Sequence, residues 1–101
     1  MKTLVIIDDE VFFRKSLINF LEKQNIYKIV GEANNGQAGI KLIENIKPDI
    51  ALVDISMPIM SGLDMIETFG ADCHTKFILS TGYEDFEYAK KRFPFKSVGI
   101  F

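Results

Sequence analysis

Short apolar runs dominate this sequence, and three of them end abruptly on an acid or a hydroxyl residue. These three runs cover residues 4–7, 50–53 and 77–79. A continuous apolar run of this length is typical of a strand that is buried on both of its faces. Such strands occur mainly in parallel sheets that helices cover on both sides, so the runs predict an α/β domain.

Segments of helical periodicity alternate with these runs. Phe13, Leu17, Phe20 and Leu21 are spaced as on one side of a helix over about residues 11–24. Two further strands are predicted, one ending near residues 32–33 and a last one over 98–101. A second helix, around 39–46, is stopped by Pro48, and a third is opened by a capping box at Ser61–Asp64 and ends near Gly70. A fourth helix over 86–93 is capped by Asp85. This alternation predicts right-handed crossovers and a doubly wound parallel sheet.

The size, charge and cysteine content of the chain exclude several classes of protein. Its 101 residues suffice for one domain, and its net charge of −2 argues against direct contact with nucleic acid phosphates. No apolar stretch approaches the ~20 residues of a membrane span. Cys73 is the single cysteine, so we expect a cytoplasmic protein in a reducing compartment. Cys73 and His74 are too few for a structural zinc site and are assigned to a loop.

Polar residues follow the apolar runs at the points where the predicted strands end. Ligands of open parallel sheets bind beyond the carboxyl ends of the strands, which places Asp8, Asp9, Asp54 and Thr81 on one rim. Carboxylates that gather in this way repel one another and favour a hard cation such as Mg²⁺. Taken alone, the Asp8–Asp9 pair is equally compatible with the start of a helix, where the dipole favours acids.

An aspartate beside a bound metal ion can act as a nucleophile toward phosphorus. Asp54 is the candidate, and its product would be an aspartyl phosphate. The hydroxyl of Thr81 or Ser80 would then bond to a phosphate oxygen, although such a pair at a strand end also suits an ordinary turn. Pro58 restricts Met57 to an extended conformation and shapes the loop that follows Asp54.

The ordered set of these motifs resembles the response regulator receiver family. The motifs are Ile-Ile-Asp8-Asp9-Glu10, then Val-Asp54-Ile-Ser-Met-Pro-Ile-Met-Ser-Gly62, then Leu79-Ser-Thr-Gly-Tyr83, and the likeness extends to about Phe95. The resemblance implies a flavodoxin-like fold with strand order 2-1-3-4-5, which the alternation alone does not specify.

The resemblance also implies a role for each residue of the rim. Asp54 would accept a phosphoryl group from a sensor histidine kinase. Asp9 would bind Mg²⁺ directly, Asp8 would assist through the pocket or through water, and the backbone carbonyl of Ser56 would be a further metal ligand. Thr81 would be the switch hydroxyl that turns toward the phosphate. A domain of this kind is a signalling switch rather than an enzyme, because it catalyses only its own phosphorylation and dephosphorylation.

The chain departs from the family pattern near its C-terminal end. The family's lysine after the fifth strand would fall two residues beyond Phe101, and Lys96 lies too early to replace it. The family's switch aromatic corresponds to Ile100, and Phe101 would substitute only after a register shift. We therefore expect residues 1–101 to form a receiver domain with an incomplete last strand and no last helix. Apolar surface near Val98 would then be uncovered, which favours association.

Expectations about partners follow from the same resemblance. Residues 82–91 look like those of regulators with an AraC-type DNA-binding output domain, and the fourth helix is the expected surface for a homodimer. Two other functions remain open. The domain could be a degenerate receiver that only binds partners, or an aspartyl-phosphate phosphohydrolase. The phosphohydrolase reading is disfavoured because those enzymes need an acid two residues after the nucleophile, where this chain has Ser56.

Overall fold

The chain folds into a five-stranded parallel sheet with helices on both faces, as seen in a computed structural model that describes residues 1–70, 72–94, 96 and 98–100. In chain order the elements of the described residues are β1 Lys2–Ile7, α1 Val11–Gln24, β2 Tyr27–Ala33, α2 Gly36–Ile46, β3 Ile50–Asp54, α3 Gly62–Glu67, β4 Lys76–Ser80, α4 Tyr83–Arg92 and β5 Val98–Ile100. The strand order is β2-β1-β3-β4-β5. This order confirms the predicted flavodoxin-like fold.

The central strands are buried on both faces, as their continuous apolar runs predicted. One face of the sheet packs against α2, α3 and α4 and forms the larger core. Its buried strand residues are Val5, Ile7, Ala33, Ala51, Val53, Phe77 and Leu79. The other face packs against α1, with Leu4, Ile6 and Leu52 in contact with Leu17. Nothing among the described helices is long and apolar enough to cross a membrane.

Helix α1 lies where the periodicity predicted it, and the predicted Leu17 and Leu21 pack against the sheet, but the two predicted phenylalanines do not. Phe13 and Phe20 remain 39% and 56% exposed, whereas Arg14 and Leu17 are buried. The apolar spacing alone favoured Phe13 over Arg14. A buried guanidinium is tolerated here because its N–H groups have acceptors in β2 and in the loop after β1.

Strand β2 contains one residue more than the strand it pairs with. Leu4 lies opposite Ile29, but Val5 lies opposite Gly31, so Val30 is an extra residue between them. This irregularity is a β-bulge. Beyond it, Glu32 aligns with Ile6 of β1.

Two helix starts test the predicted caps. The Oγ atom of Ser61 accepts a hydrogen bond from the backbone N–H of Asp64, as predicted for α3. The prediction that Asp85 caps α4 is wrong, because the cap position is occupied by Gly82. Asp85 lies instead in the first turn of α4, where the helix dipole favours an acid. Helix α3 also ends at Glu67, three residues before the predicted Gly70.

Strand β5 is the edge strand of the sheet beside β4. Its short parallel pairing with β4 aligns Phe77 with Val98 and Leu79 with Ile100. Val98 is half-buried and packs against the larger core. The prediction made for Phe101 lies outside the described residues.

Candidate functional site

Three carboxylates meet at the carboxyl edge of the sheet. Strands β1 and β3 are paired in parallel, so the residues after Ile7 lie beside Asp54, the last residue of β3. One carboxylate oxygen from each of Asp8, Asp9 and Asp54 lies within 4.8 Å of the other two. Asp8 is buried, Asp54 is half-buried and Asp9 is exposed. Within the described part of the chain, no other group of three acids, histidines or cysteines comes together in this way.

The pKa of the Asp54 carboxyl reflects its burial first and the neighbouring carboxylates second. Burial raises the pKa of the Asp54 carboxyl above its ordinary value, and the charges of Asp8 and Asp9 raise it further. A hydrogen bond from the backbone N–H of Ser56 to Oδ1 of Asp54, 3.1 Å long, opposes the shift. The negative charge at this edge is therefore incompletely compensated by the protein.

The loop after β1 is held by three hydrogen bonds at Asp8. The backbone N–H of Asp8 donates to the carbonyl of Ala33 at 3.1 Å. Its Oδ1 atom accepts from the backbone N–H of Glu10 at 2.8 Å, and its own carbonyl accepts from Nη1 of Arg14 at 2.7 Å. These contacts tie the acidic loop to β2 on one side and to α1 on the other.

The loop after β3 lies close against the end of its strand. Met57 is only 6% exposed and anchors the loop in the larger core. The N–H of Gly62 donates to the carbonyl of Ile55 at 3.0 Å. A Cβ atom at Gly62 would lie 2.5 Å from the backbone oxygen of Asp54, so α3 can approach the strand this closely only at a glycine.

Thr81 lies at the same edge, directly after β4. The register aligns Asp54 with Ser80, which precedes Thr81. The hydroxyl of Thr81 donates to Oδ2 of Asp85 at 3.0 Å, so in this structure it is engaged by the first turn of α4. Ser80 is half-buried.

Lys96 lies at the opposite end of the sheet from the three carboxylates. It precedes β5, and its ammonium group is 4.8 Å from the centroid of the Phe93 ring. Because β5 is parallel to β4, a residue before β5 is at the amino end of the strands. This agrees with the sequence-based argument that Lys96 cannot contribute to the acidic edge.

Arg14 was not predicted from the sequence to lie beside the acidic loop. Its side chain is 10% exposed and pairs with Glu32 through an Nε–Oε1 distance of 2.7 Å. The available signal was its position: Arg14 shares one side of α1 with Leu17, Ile18 and Leu21, at spacings of three, four and seven residues. A charged residue in such a stripe needs a specific partner.

The fold and the site together define a class of α/β domain with an acidic site at the carboxyl edge of its sheet. The family model described as "Response regulator receiver domain" matches residues 4–100. The chain therefore belongs to the response regulator receiver domain family, the signalling switches of two-component systems.

Comparisons with individual proteins agree with this assignment. The transcriptional regulatory protein BtsR of Escherichia coli (strain K12) is 36% identical over 92% of this chain and 38% of its own length. YdfI of Bacillus subtilis, another transcriptional regulatory protein, is 36% identical over 84% of this chain and 40% of its own length. The chain thus spans about two fifths of these relatives.

A solved structure supports the fold. The receiver domain of the response regulator AraT from Geobacillus stearothermophilus superposes with a TM-score of 0.77 at 26% identity. The match covers 98% of this chain and 80% of that structure.

Proposed function

We propose that this domain is a phosphoacceptor switch, in which Asp54 receives a phosphoryl group from a sensor histidine kinase in a Mg²⁺-dependent reaction. The observation that carries the proposal is the convergence of Asp8, Asp9 and Asp54 at the carboxyl edge of the sheet. Residues 1–101 would act as a receiver domain that catalyses only its own phosphorylation and dephosphorylation.

The three carboxylates suit a magnesium ion in chemistry and in spacing. Magnesium prefers oxygen ligands at 2.0–2.1 Å, so two oxygens bound to one ion lie at most roughly 4.2 Å apart. The observed oxygens, within 4.8 Å of one another, need only a small closure or an intervening water. Asp8, Asp9, Asp54 and the carbonyl of Ser56 would hold the ion. When bound, the ion would offset the charge of the carboxylates and of the transferring phosphoryl group.

The chemical step uses Asp54 as a carboxylate. One carboxylate oxygen forms a bond to phosphorus while the bond from phosphorus to the donor nitrogen of the kinase histidine breaks. The electron pair of that bond leaves with the imidazole, and Asp54 has no proton to lose.

Thr81 would report the phosphorylation to α4. A hydroxyl has one proton to donate, and in this structure it goes to Asp85. Phosphoryl oxygens on Asp54 would compete with Asp85 for that proton. Phosphorylation would thereby shift the population of Thr81 orientations and of the α4 surface that adjoins it.

The effect of the switch would lie outside the domain. The relatives BtsR and YdfI are named as transcriptional regulators, and this chain matches only 38–40% of each. We propose a longer regulator with an output domain, and the likeness over residues 82–91 favours an AraC-type DNA-binding domain. The α4 surface, where Tyr88 is 57% exposed, is the proposed homodimer contact.

The test is incubation with acetyl phosphate and Mg²⁺, followed by intact-mass analysis. We expect one phosphoryl group per chain, none after Asp54→Asn, none without divalent cation, and an unchanged yield in the control Asp72→Asn, an exposed aspartate at the other end of the sheet. Absence of the adduct in a chain shown to be folded by circular dichroism would overturn the proposal in favour of a partner-binding domain. Release of many phosphates per chain from a phosphate monoester such as p-nitrophenyl phosphate would favour a phosphohydrolase, because a receiver that dephosphorylates itself also turns over acetyl phosphate.

A further inference from the structure

We infer that Arg14 is a positioning residue, which sets the geometry of the acidic loop for its cation by holding the backbone carbonyl of Asp8. This inference rests on the proposed magnesium site. It assigns a function to a buried side chain that carries a charge but touches none of the carboxylates proposed as ligands.

The contacts of Arg14 join three parts of the fold. Its Nη1 atom donates to the carbonyl of Asp8 at 2.7 Å, and its Nε atom donates to Oε1 of Glu32 in β2 at 2.7 Å. Lys15 reaches the second oxygen of Glu32 at 2.9 Å but is 59% exposed. Arg14 thus connects α1 and β2 with the loop after β1, while the hydrogen bond of Lys15 goes to β2.

The direction of these bonds excludes Arg14 as a ligand and assigns it a supporting role. A guanidinium has donors only, so it cannot bind a cation. Its planar shape instead holds two acceptors in a defined relative geometry. With the N–H of Asp8 bound to Ala33 and its carbonyl bound to Arg14, the Asp8 peptide is held on both sides. The direction of the Asp8 and Asp9 side chains follows from that backbone.

The ion pair with Glu32 limits the electrostatic effect of Arg14 on the three carboxylates. The pKa of Glu32 is lowered, chiefly by the hydrogen bond from Arg14 and then by that from Lys15, so Glu32 is held as an anion beside the guanidinium. The Arg14–Glu32 pair therefore carries little net charge toward the three carboxylates. Orientation of the Asp8 carbonyl, and not charge, remains as the main effect of Arg14 on the site.

Two substitutions distinguish these effects. Arg14→Lys keeps the positive charge but loses the planar, two-acceptor geometry, whereas Arg14→Met loses both. If Arg14 acts through geometry, both variants bind Mg²⁺ more weakly, by about tenfold, the size typical of residues that support metal ligands. The control Lys15→Met removes a charge from the same Glu32 without touching Asp8, and its affinity should stay within about twofold of the wild type.

The measurement is a Mg²⁺ titration of each chain, followed by amide chemical shifts or calorimetry, with no phosphodonor present. Thermal unfolding without Mg²⁺ measures stability separately. Intact-mass kinetics with acetyl phosphate supply a further readout: the Mg²⁺ concentration for half-maximal phosphorylation should rise in Arg14→Lys, and the rate at saturating Mg²⁺ should recover. Should Arg14→Met unfold, Arg14→Lys carries the test, because it keeps the positive charge and weaker Mg²⁺ binding in that variant still indicates an effect of geometry.

Several results would overturn the inference. Wild-type affinity in Arg14→Lys with tighter binding in Arg14→Met would mean that Arg14 acts by charge alone. Lower melting temperatures with unchanged Mg²⁺ affinity in both variants would show that Arg14 has a purely structural role. In either case the wild type still binds Mg²⁺ and is phosphorylated. A wild type that does neither would instead refute the proposed function, and the inference with it.

Discussion

Strand β3 has an aspartate at each end, and the two side chains are in opposite situations. Asp49, just before the strand, accepts hydrogen bonds from the backbone N–H of Thr3 at 2.8 Å and from its hydroxyl at 3.1 Å, and lies 2.9 Å from His74. These donors, led by the backbone N–H of Thr3, lower the pKa of Asp49 to about 2. Asp54, at the other end, has a raised pKa because it is partly buried beside two further carboxylates.

This difference separates a structural end of the sheet from the end proposed to be reactive. At the amino end the chain supplies donors for its carboxylate, so the charge stabilises the fold. At the carboxyl end it collects negative charge, which the proposed Mg²⁺ would offset. Two aspartates at the ends of β3 therefore differ in pKa according to the donors and charges around them. The following experiments test this contrast, beginning with the largest expected effect on stability.

Gly62→Ala should be the most destabilising substitution of this set. The new Cβ would lie 2.5 Å from the backbone oxygen of Asp54 and 3.0 Å from Cα of Ile55, neither of which can move without displacing the strand end. Overpacking of this kind costs about 1–3 kcal/mol, and each kcal/mol lowers the melting temperature of a domain this size by roughly 4–8 °C.

The matched control for that experiment is Gly70→Ala, at the amino end. Among the described residues, the new Cβ there would meet only the Oδ1 atom of Asp72, at the tip of a side chain that can rotate away. Equal losses of stability in Gly62→Ala and Gly70→Ala would show that the close approach of α3 to Asp54 is not a constraint specific to the reactive end.

Asp49→Asn should destabilise the domain in a pH-dependent way, with a smaller effect than Gly62→Ala. Because the pKa of Asp49 falls from 3.8 to about 2 on folding, its ionised form stabilises the native state. That contribution is complete above pH 3.8 and is lost as the pH falls toward about 2. The melting temperatures of wild type and variant should thus differ at neutral pH and converge in acid. A constant difference would argue against the assigned pKa.

Asp54→Asn should change the stability at neutral pH in the opposite direction to Asp49→Asn. Because folding raises the pKa of Asp54 above 3.8, its ionised form destabilises the native state, and this cost appears as the pH rises through that raised pKa. In the absence of divalent cations the variant should melt slightly higher than the wild type at neutral pH and equally in acid. Added Mg²⁺ should raise the melting temperature of the wild type more than that of the variant. A variant less stable than the wild type at neutral pH would contradict the contrast.

His74→Gln should have the smallest effect. His74 is 65% exposed in its side chain, and exposed ion pairs contribute little. The melting temperature at neutral pH should stay within about 2 °C of the wild type. A larger loss would show that His74, and not the Thr3 backbone, is the main partner of Asp49.

The sequence predicted the carboxyl edge well because its signal is local. The end of each apolar run predicts where a strand ends, and parallel pairing brings those ends together. The meeting of Asp8, Asp9 and Asp54 therefore follows from the pattern. The strand order came from family resemblance, since alternation is compatible with several orders.

The features that escaped prediction depend on contacts between distant segments. Periodicity placed Phe13 on the buried side of α1, but the partners that allow Arg14 to be buried lie in β2 and in another loop. Asp85 looked like a helix cap, and its actual hydrogen bond to Thr81 depends on where α4 begins. The roles of the site residues in phosphorylation remain predictions.

The bulge in β2 has a consequence for how this domain can vary. Paired residues of parallel strands face the same way, and Val30 and Gly31 both lie toward α2. If the same β2 sequence paired with β1 in regular register beyond Leu4, with no bulge at Val30, Glu32 would align with Ile7 instead of Ile6 and would turn away from α1. The ion pair between Glu32 and Arg14 is therefore maintained by the bulge. Because the bulge already absorbs one residue, deletion of Val30 would give a regular register with Glu32 still opposite Ile6, whereas insertion of one further residue would need a second bulge to keep Glu32 toward α1.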